Sequence, residues 1–325
     1  MTVKPETPEP STLWLVLVGL LGSLFFSATF ILNYTMHLGG GHWYWSGGLR
    51  FLFMVLLLVA ILVPWLGLEK FREVLSIFRK HFLFWLLAGT VGFGFFYAGI
   101  VFAADYARGW VVAATWQSTI LATPFVLIFM GFSFPIRGIF FSFLIVLGVV
   151  LVNIDGFFSG ITSDEIKFGV LPILISAFCY PIGNQLLNAS KNGTLSYVPH
   201  IKSDLLKSPL VCIFLMSLGS APFWILLAFV ASPPAPGAEQ WISTFFVALF
   251  AGIAATGLFL YARNLTASPY KIAAVDATLS GEVFIPLLFE IVILGEAVPE
   301  AIPLLGLVLI VVGLVAYTYR TTVSK

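Results

Sequence analysis

Apolar residues run through this chain in stretches of about 20, the length of helix that crosses a roughly 30 Å hydrocarbon core. Ten such stretches can be counted, at 13–36, 43–67, 82–104, 109–131, 138–155, 168–189, 208–231, 241–264, 270–294 and 301–319, the fifth being the shortest. Polar residues gather between them. The opening MTVKPETPEPS leads into an unbroken span with no small-residue cleavage site after a short apolar core. That pattern predicts a retained first helix rather than a signal peptide. The expected architecture is an all-α integral membrane protein of ten transmembrane helices.

Composition agrees with lipid as the solvent. Of 325 residues, 60% are hydrophobic and 10% charged, with a mean hydropathy of +1.04. A soluble domain needs about 25% charged residues to cover its surface. The net charge of +1 conceals an asymmetry. With ten spans, one side receives Lys4, Lys70, Arg72, Arg79, Lys80, Arg137, Lys191, Lys202, Lys207, Arg263, Lys271, Arg320 and Lys325, thirteen of the 16 basic residues. The positive-inside rule puts that side, and both termini, in the cytoplasm. The charged stretch Glu69–Lys80 reads as a short amphipathic connector on the same side.

The two halves echo each other. Trp85–Asn153 and Phe250–Thr318 share, in the same order, an Ala-Gly near the start, a proline in the middle span and a late glycine (Gly148, Gly313). Ser27-Ala28 precedes Asn33 as Ser176-Ala177 precedes Asn184. Five spans per half is odd, so the halves, 13–155 and 168–319, are expected to insert as two inverted five-helix repeats between tails at 1–12 and 320–325. Inverted repeats with paired broken helices are a construction of secondary transporters, whose site lies near the midplane.

Candidate chemistry concentrates in the ninth span, PYKIAAVDATLSGEVFIPLLFEIVIL, which carries Asp276, Glu282 and Pro286. An acid at membrane depth costs several kcal/mol, so it usually faces a cavity and marks a substrate or ion path. At 1.5 Å per residue Glu282 lies roughly 16 Å from Lys271, close to the midplane, and Asp276 only about 8 Å in. The two point about 120° apart, whereas Glu282 and Pro286 share a face. Glu282 reads as a proton or charge switch, with Asp276 as a second candidate; the alternative is an acid that locks two helices. Glu290 and Glu296 lie toward the outer surface. Glu296 reads as a helix-end residue and Glu290 is left unassigned.

Arg50 sits roughly 10 Å into the second span. It suits pairing with a carboxylate or an anionic group of the substrate, or equally snorkelling to the headgroups. Trp116, Gln117, Ser118 and Thr119 precede Pro124 in the fourth span. Tyr180, Pro181, Gly183, Asn184 and Gln185 cluster in the sixth. Hydrogen-bonding side chains beside helix breakers suit backbone that faces a water-filled cavity, or else interhelical hydrogen bonds. Asn33, Arg50, Trp116, Gln117, Tyr180, Asn184 and Gln185 are the predicted substrate contacts. Pro124, Pro181 and Pro286 are the predicted hinges, because proline gives the helix no N–H.

Other chemistry finds little support. His37 and His42 flank three glycines without a third ligand, so no metal is expected. Cys179 and Cys212 sit in apolar segments as ordinary packing thiols. The absence of Gly-x-Ser-x-Gly, His-Glu-x-x-His and Walker sequences leaves neither an enzyme motif nor an ATP site. Neither cofactor nor nucleic-acid partner is expected; oligomeric state is not legible.

HWYWSGGLRFLFM (His42–Met54), ISAFCYPIGNQLL (Ile175–Leu187) and the PLLFEIVILGE run ending at Glu296 resemble the ten-helix form of the drug/metabolite transporter superfamily, and most closely its multidrug resistance efflux branch. The resemblance spans nearly the whole chain. It implies alternating-access export of a small organic solute, a drug or organic cation, with protons as the coupling ion, in a bacterial inner membrane. A metabolite or amino-acid exporter of the same fold is the alternative; a membrane scaffold or intramembrane enzyme is a remote one. The small four-helix multidrug proteins of the superfamily use a glutamate in their first helix. This chain has no acid between Leu13 and Met36, where Ser23, Ser27, Thr29, Asn33 and Tyr34 stand instead. That leaves Glu282 as the leading carboxylate.

Overall fold

The structure is a computed structural model that describes residues 10–131, 137–158, 166–266 and 269–323. The tail at 1–9, with Lys4, and residues 324–325, with Lys325, lie outside the described residues, as do the side chains of Arg137, Arg263 and Arg320.

The described chain is helical throughout its apolar stretches. In chain order the helices are α1 (Thr12–Leu38), α2 (Trp43–Leu66), α3 (Leu68–Lys80), α4 (Phe82–Ala103), α5 (Gly109–Trp116), α6 (Thr119–Phe129) and α7 (Arg137–Phe158). They continue with α8 (Leu171–Asn192), α9 (Pro209–Ala231), α10 (Ala238–Phe259, running on to Asn264), α11 (Pro269–Ala277), α12 (Gly281–Val292) and α13 (Ala301–Val323). Seven segments are long and apolar enough to cross a membrane. They coincide with the predicted spans one to four and six to eight. The fifth and tenth predicted spans fall on α7 and α13, whose apolar described stretches are shorter.

Local chemistry explains the ends. Ser11 accepts the Trp14 N–H at 3.2 Å and starts α1, and Ser208 does the same for Val211 before Pro209 at the head of α9. These caps satisfy amides that have no partner inside the helix. Gly193, at φ +65°, closes α8 in the left-handed conformation that a side chain resists. The connector α3 is amphipathic as expected, with Phe71, Val74 and Ile77 buried under α2.

Two kinds of irregularity recur in both halves. α4 widens into a π-helical stretch at Thr90–Phe95, and α10 does so at Ala248–Ala255. The fourth apolar segment breaks at Gln117-Ser118, between α5 and α6, where i→i−3 bonds replace i→i−4 ones. The ninth breaks at Thr278–Ser280, a 3₁₀ turn between α11 and α12. The breaks lie N-terminal to Pro124 and Pro286, two of the three prolines predicted as hinges; α8 runs unbroken through the third, Pro181, and all three are buried inside a helix. A proline leaves the carbonyl four residues earlier without its donor. At Pro181 that carbonyl belongs to Ala177, and the Thr119 hydroxyl from α6 bonds it at 3.1 Å.

Small residues set the helix crossings. α7 and α13 form the most extensive contact in the molecule. There a Cβ on Gly148 would come within 2.5 Å of the Gly306 carbonyl, and one on Gly306 within 2.6 Å of the Gly148 carbonyl. α4 and α9 meet through Gly89 and Gly219, α4 and α8 through Gly92 and Gly183. Lipid tails are as apolar as leucine, so close backbone packing of this kind, rather than the hydrophobic effect, holds membrane helices together. The bundle has a terminal end, with the start of α1 and the close of α13, and a distal end, with the loops around Gly40, Tyr106, Pro234 and Val298.

Candidate functional site

The two helix breaks bring Gln117, Ser118 and Glu282 into the interior, whereas Tyr180 on α8 is 37% exposed. Trp116 ends α5, and Gln117 and Ser118 form the break, 4% and 9% exposed. The Gln117 amide bonds the Ala113 carbonyl at 3.3 Å, while the Ser118 hydroxyl has no partner among the described residues. On α8, Tyr180 lies within hydrogen-bonding reach of Asn184, and Gln185 beside it is half-buried. The rings of Trp116 and Tyr180 meet edge to face at 5.5 Å. Phe96 of α4 completes the group at 4.9 Å from each. Phe96 was not singled out in the sequence, since one phenylalanine among 33 carries no signal of its own.

Glu282 opens α12 beside the second break and is 8% exposed. No hydrogen bond or ion pair joins it to any described residue, although Tyr180 is near enough to feel its charge. Pro286 removes the donor for the Glu282 carbonyl as well. Across from it α1 presents Ser23, fully buried and with its hydroxyl unpartnered among the described residues, so close to Gly281 that a Cβ there would lie 2.7 Å from the Ser23 oxygen. Asp276 is on α11, half-buried and separated from Glu282 by the 3₁₀ turn.

The remaining predicted contacts form a second group. Asn33, 3% exposed, donates to the Tyr97 hydroxyl at 3.0 Å, and its own side-chain carbonyl oxygen has no partner among the described residues. The Arg50 guanidinium lies over the Tyr97 ring, 3.9 Å from its centre, and no described carboxylate pairs with it. A cation over an aromatic face is held by the ring quadrupole. Tyr97 follows Phe96 directly on α4, so the two groups adjoin through neighbouring residues without merging.

A third polar group closes the distal end. The Arg108 guanidinium pairs with Glu296 at 2.9 Å, and the Tyr34 hydroxyl donates to Glu296 at 3.3 Å. Glu290, 1% exposed, accepts the Trp110 N–H at 2.9 Å and a bond from the Gly109 N–H, capping α5 from α12. His37 and Asp105 face each other at 3.1 Å. Burial in the loop lifts the Asp105 carboxyl from 3.8 to about 6, with His37 pulling the other way. The folded chain therefore holds this proton more tightly than the unfolded chain. That stabilisation is complete below about pH 4 and is lost as pH rises through about 6. Asp105→Asn keeps the shape without the charge. It is expected to stabilise the fold near neutral pH by on the order of 1 kcal/mol after solvent screening, seen as a higher thermal midpoint in detergent, and to change nothing near pH 4.

The comparisons with known proteins agree with this architecture. The EmrE family model, described as "Putative multidrug resistance efflux transporter", matches residues 13–323. The chain is 36% identical over 326 residues to "Uncharacterized protein YjlA" of Bacillus subtilis (strain 168), covering 95% of this chain and 96% of that one. It is 32% identical over 283 residues to "Uncharacterized 42.1 kDa protein in intracellular alkaline protease 3'region" of Shouchella clausii, covering 82% and 69% respectively. A crystal structure 16% identical in sequence covers 97% of this chain and 99% of its own, with a TM-score of 0.59, a likeness of fold alone. The family consists of transporters, not enzymes, and its members work in the lipid bilayer on small molecules. With nearly its whole length matched, the chain belongs to the EmrE-like multidrug resistance efflux transporter family, an integral membrane protein of the drug/metabolite transporter superfamily.

Proposed function

We propose that this chain exports small organic cations by proton-coupled alternating access, with Glu282 as the proton and charge switch. The observation that carries the reading is a buried carboxylate with no counter-ion among the described residues, set at a helix break and within electrostatic reach of Tyr180, whose ring packs with Phe96 and Trp116. An ionised carboxylate attracts a cation, and ring faces hold its organic part. Asn184 and Gln117 add hydrogen bonds, Gln185 flanks them, and Asp276 lies toward the terminal end of the same path. On this reading all ten apolar stretches cross the bilayer, with both termini in the cytoplasm of a bacterial inner membrane.

An inverted repeat, 13–155 against 168–319, is supported by the paired irregularities. The π stretches, the helix breaks and the glycine seam of α7 with α13 fall where a twofold relation would put them. Packing follows the same exchange: α1 lies on α10 as α8 lies on α4, and α1 on α12 as α8 on α6.

The test is solute-driven proton movement in proteoliposomes with a panel of organic cations and amino acids. A cation that dissipates an imposed pH gradient is the expected result. Response to amino acids alone would replace the cation reading with the metabolite one, for which Arg50 and the open Asn33 carbonyl would supply carboxylate and ammonium contacts. Silence toward the whole panel would overturn both.

A further inference from the structure

The two ends of the bundle are not equally closed. Under the twofold relation α5 corresponds to α11, α6 to α12 and α1 to α8. Most packing obeys it: α1 touches α11 as α8 touches α5. Two pairs break it. α5 packs on both α12 and α1, whereas the counterpart pairs, α11 with α6 and α11 with α8, make no more than marginal contact among the described residues. The bundle is therefore sealed at its distal end and parted toward its terminal end.

The seal is polar and links the two halves. Glu290 reaches from α12 to the first turn of α5, where unpaired N–H groups and the helix dipole favour a negative charge. Gly109 permits the approach, since a Cβ there would lie 2.7 Å from the Phe30 carbonyl and 2.9 Å from the Glu290 carboxylate. The chain beyond α12 turns back through a Glu296 N–H to Glu290 carbonyl bond of 3.0 Å, which sets Glu296 against Arg108 and Tyr34. One oxygen of Glu290 is buried and has no partner among the described residues. Leaving such an atom unbonded costs free energy, so the carboxylate is held there by the geometry of closure and gains water once that end opens.

We infer that Glu290 is the positioning residue of a distal gate. Its bonds to Gly109 and Trp110, seconded by Arg108–Glu296, hold the far mouth shut in the state open toward the termini, and breaking them is the step that exposes the site to the other side. This rests on the alternating-access reading above, but the mechanism is separate from cargo and coupling.

The test uses the full chain with Cys179→Ser and Cys212→Ser and a reporter at Ser118→Cys, in vesicles of either orientation. A membrane-impermeant maleimide is supplied from the distal face. Labelling is expected to be slow in this background and about tenfold faster with Glu290→Gln, the shift that loss of a charged helix cap would produce. Glu296→Gln, at a carboxylate still 27% exposed, should accelerate labelling less and remains informative if the Glu290 variant does not fold. A merely structural cap would raise amide exchange at residues 109–112 and leave distal labelling unchanged, and that result would overturn the gate. No solute enters the assay, so its failure leaves the export reading intact, and a silent transport panel leaves the gate intact.

Discussion

Glu282→Gln is expected to reduce solute-driven proton movement to background while the protein folds as well as wild type. The two readouts together decide between a switch and a structural acid. An acid that locks helices through an ion pair leaves its partner charged and buried when it is removed, a loss of about 3–5 kcal/mol. Glu282 has no such partner among the described residues. A neutral amide of the same shape relieves the cost of placing a charge at this depth, so the thermal midpoint should equal or exceed that of wild type. A variant that transports normally would remove Glu282 from the mechanism. One that unfolds would return it to the role of a helix tie.

The other large effect is expected at the α7–α13 seam. Gly306→Val drives a branched side chain into the Gly148 carbonyl and the Val152 amide, which a Cβ alone would already approach to 2.6 and 2.8 Å. Backbone on both sides cannot yield as a flexible side chain would, and overpacking of this kind costs about 1–3 kcal/mol or more. The apparent melting temperature in detergent should fall by roughly 2–5 °C. Gly257→Val on α10 is the control, because nothing lies within 4 Å of a Cβ at that position. Its midpoint should stay near that of wild type. Equal losses in both variants would mean that helix propensity, not the crossing, governs these glycines.

Glu290 shows where reading along the chain stops. Its place near the outer end of the ninth span was legible, since rise per residue fixes depth. Its partner was not, because the Gly109 and Trp110 amides lie some 180 residues away and a backbone donor has no side-chain signature. Phe96 was hidden for a related reason: any of 33 phenylalanines could have stood beside Trp116 and Tyr180. Two of the three prolines predicted as hinges, Pro124 and Pro286, lie in segments that break, but the breaks fall at Gln117-Ser118 and Thr278–Ser280, and the helix of Pro181 runs unbroken.

What the sequence by itself determined is the solvent, the helical class and the order of the apolar segments. In lipid every backbone group must be satisfied within its own segment, so a run of about 20 apolar residues leaves the chain almost no choice but a helix. Paired serines, glycines and prolines also carry the repeat proposed between the two halves. Tertiary structure alone decided which side chains meet: the Phe96, Trp116 and Tyr180 group, the cap of Glu290 on α5, and the packing of α5 on α12 and α1. Those are contacts between distant segments, and they depend on sub-ångström fits at glycine crossings that composition and periodicity do not encode.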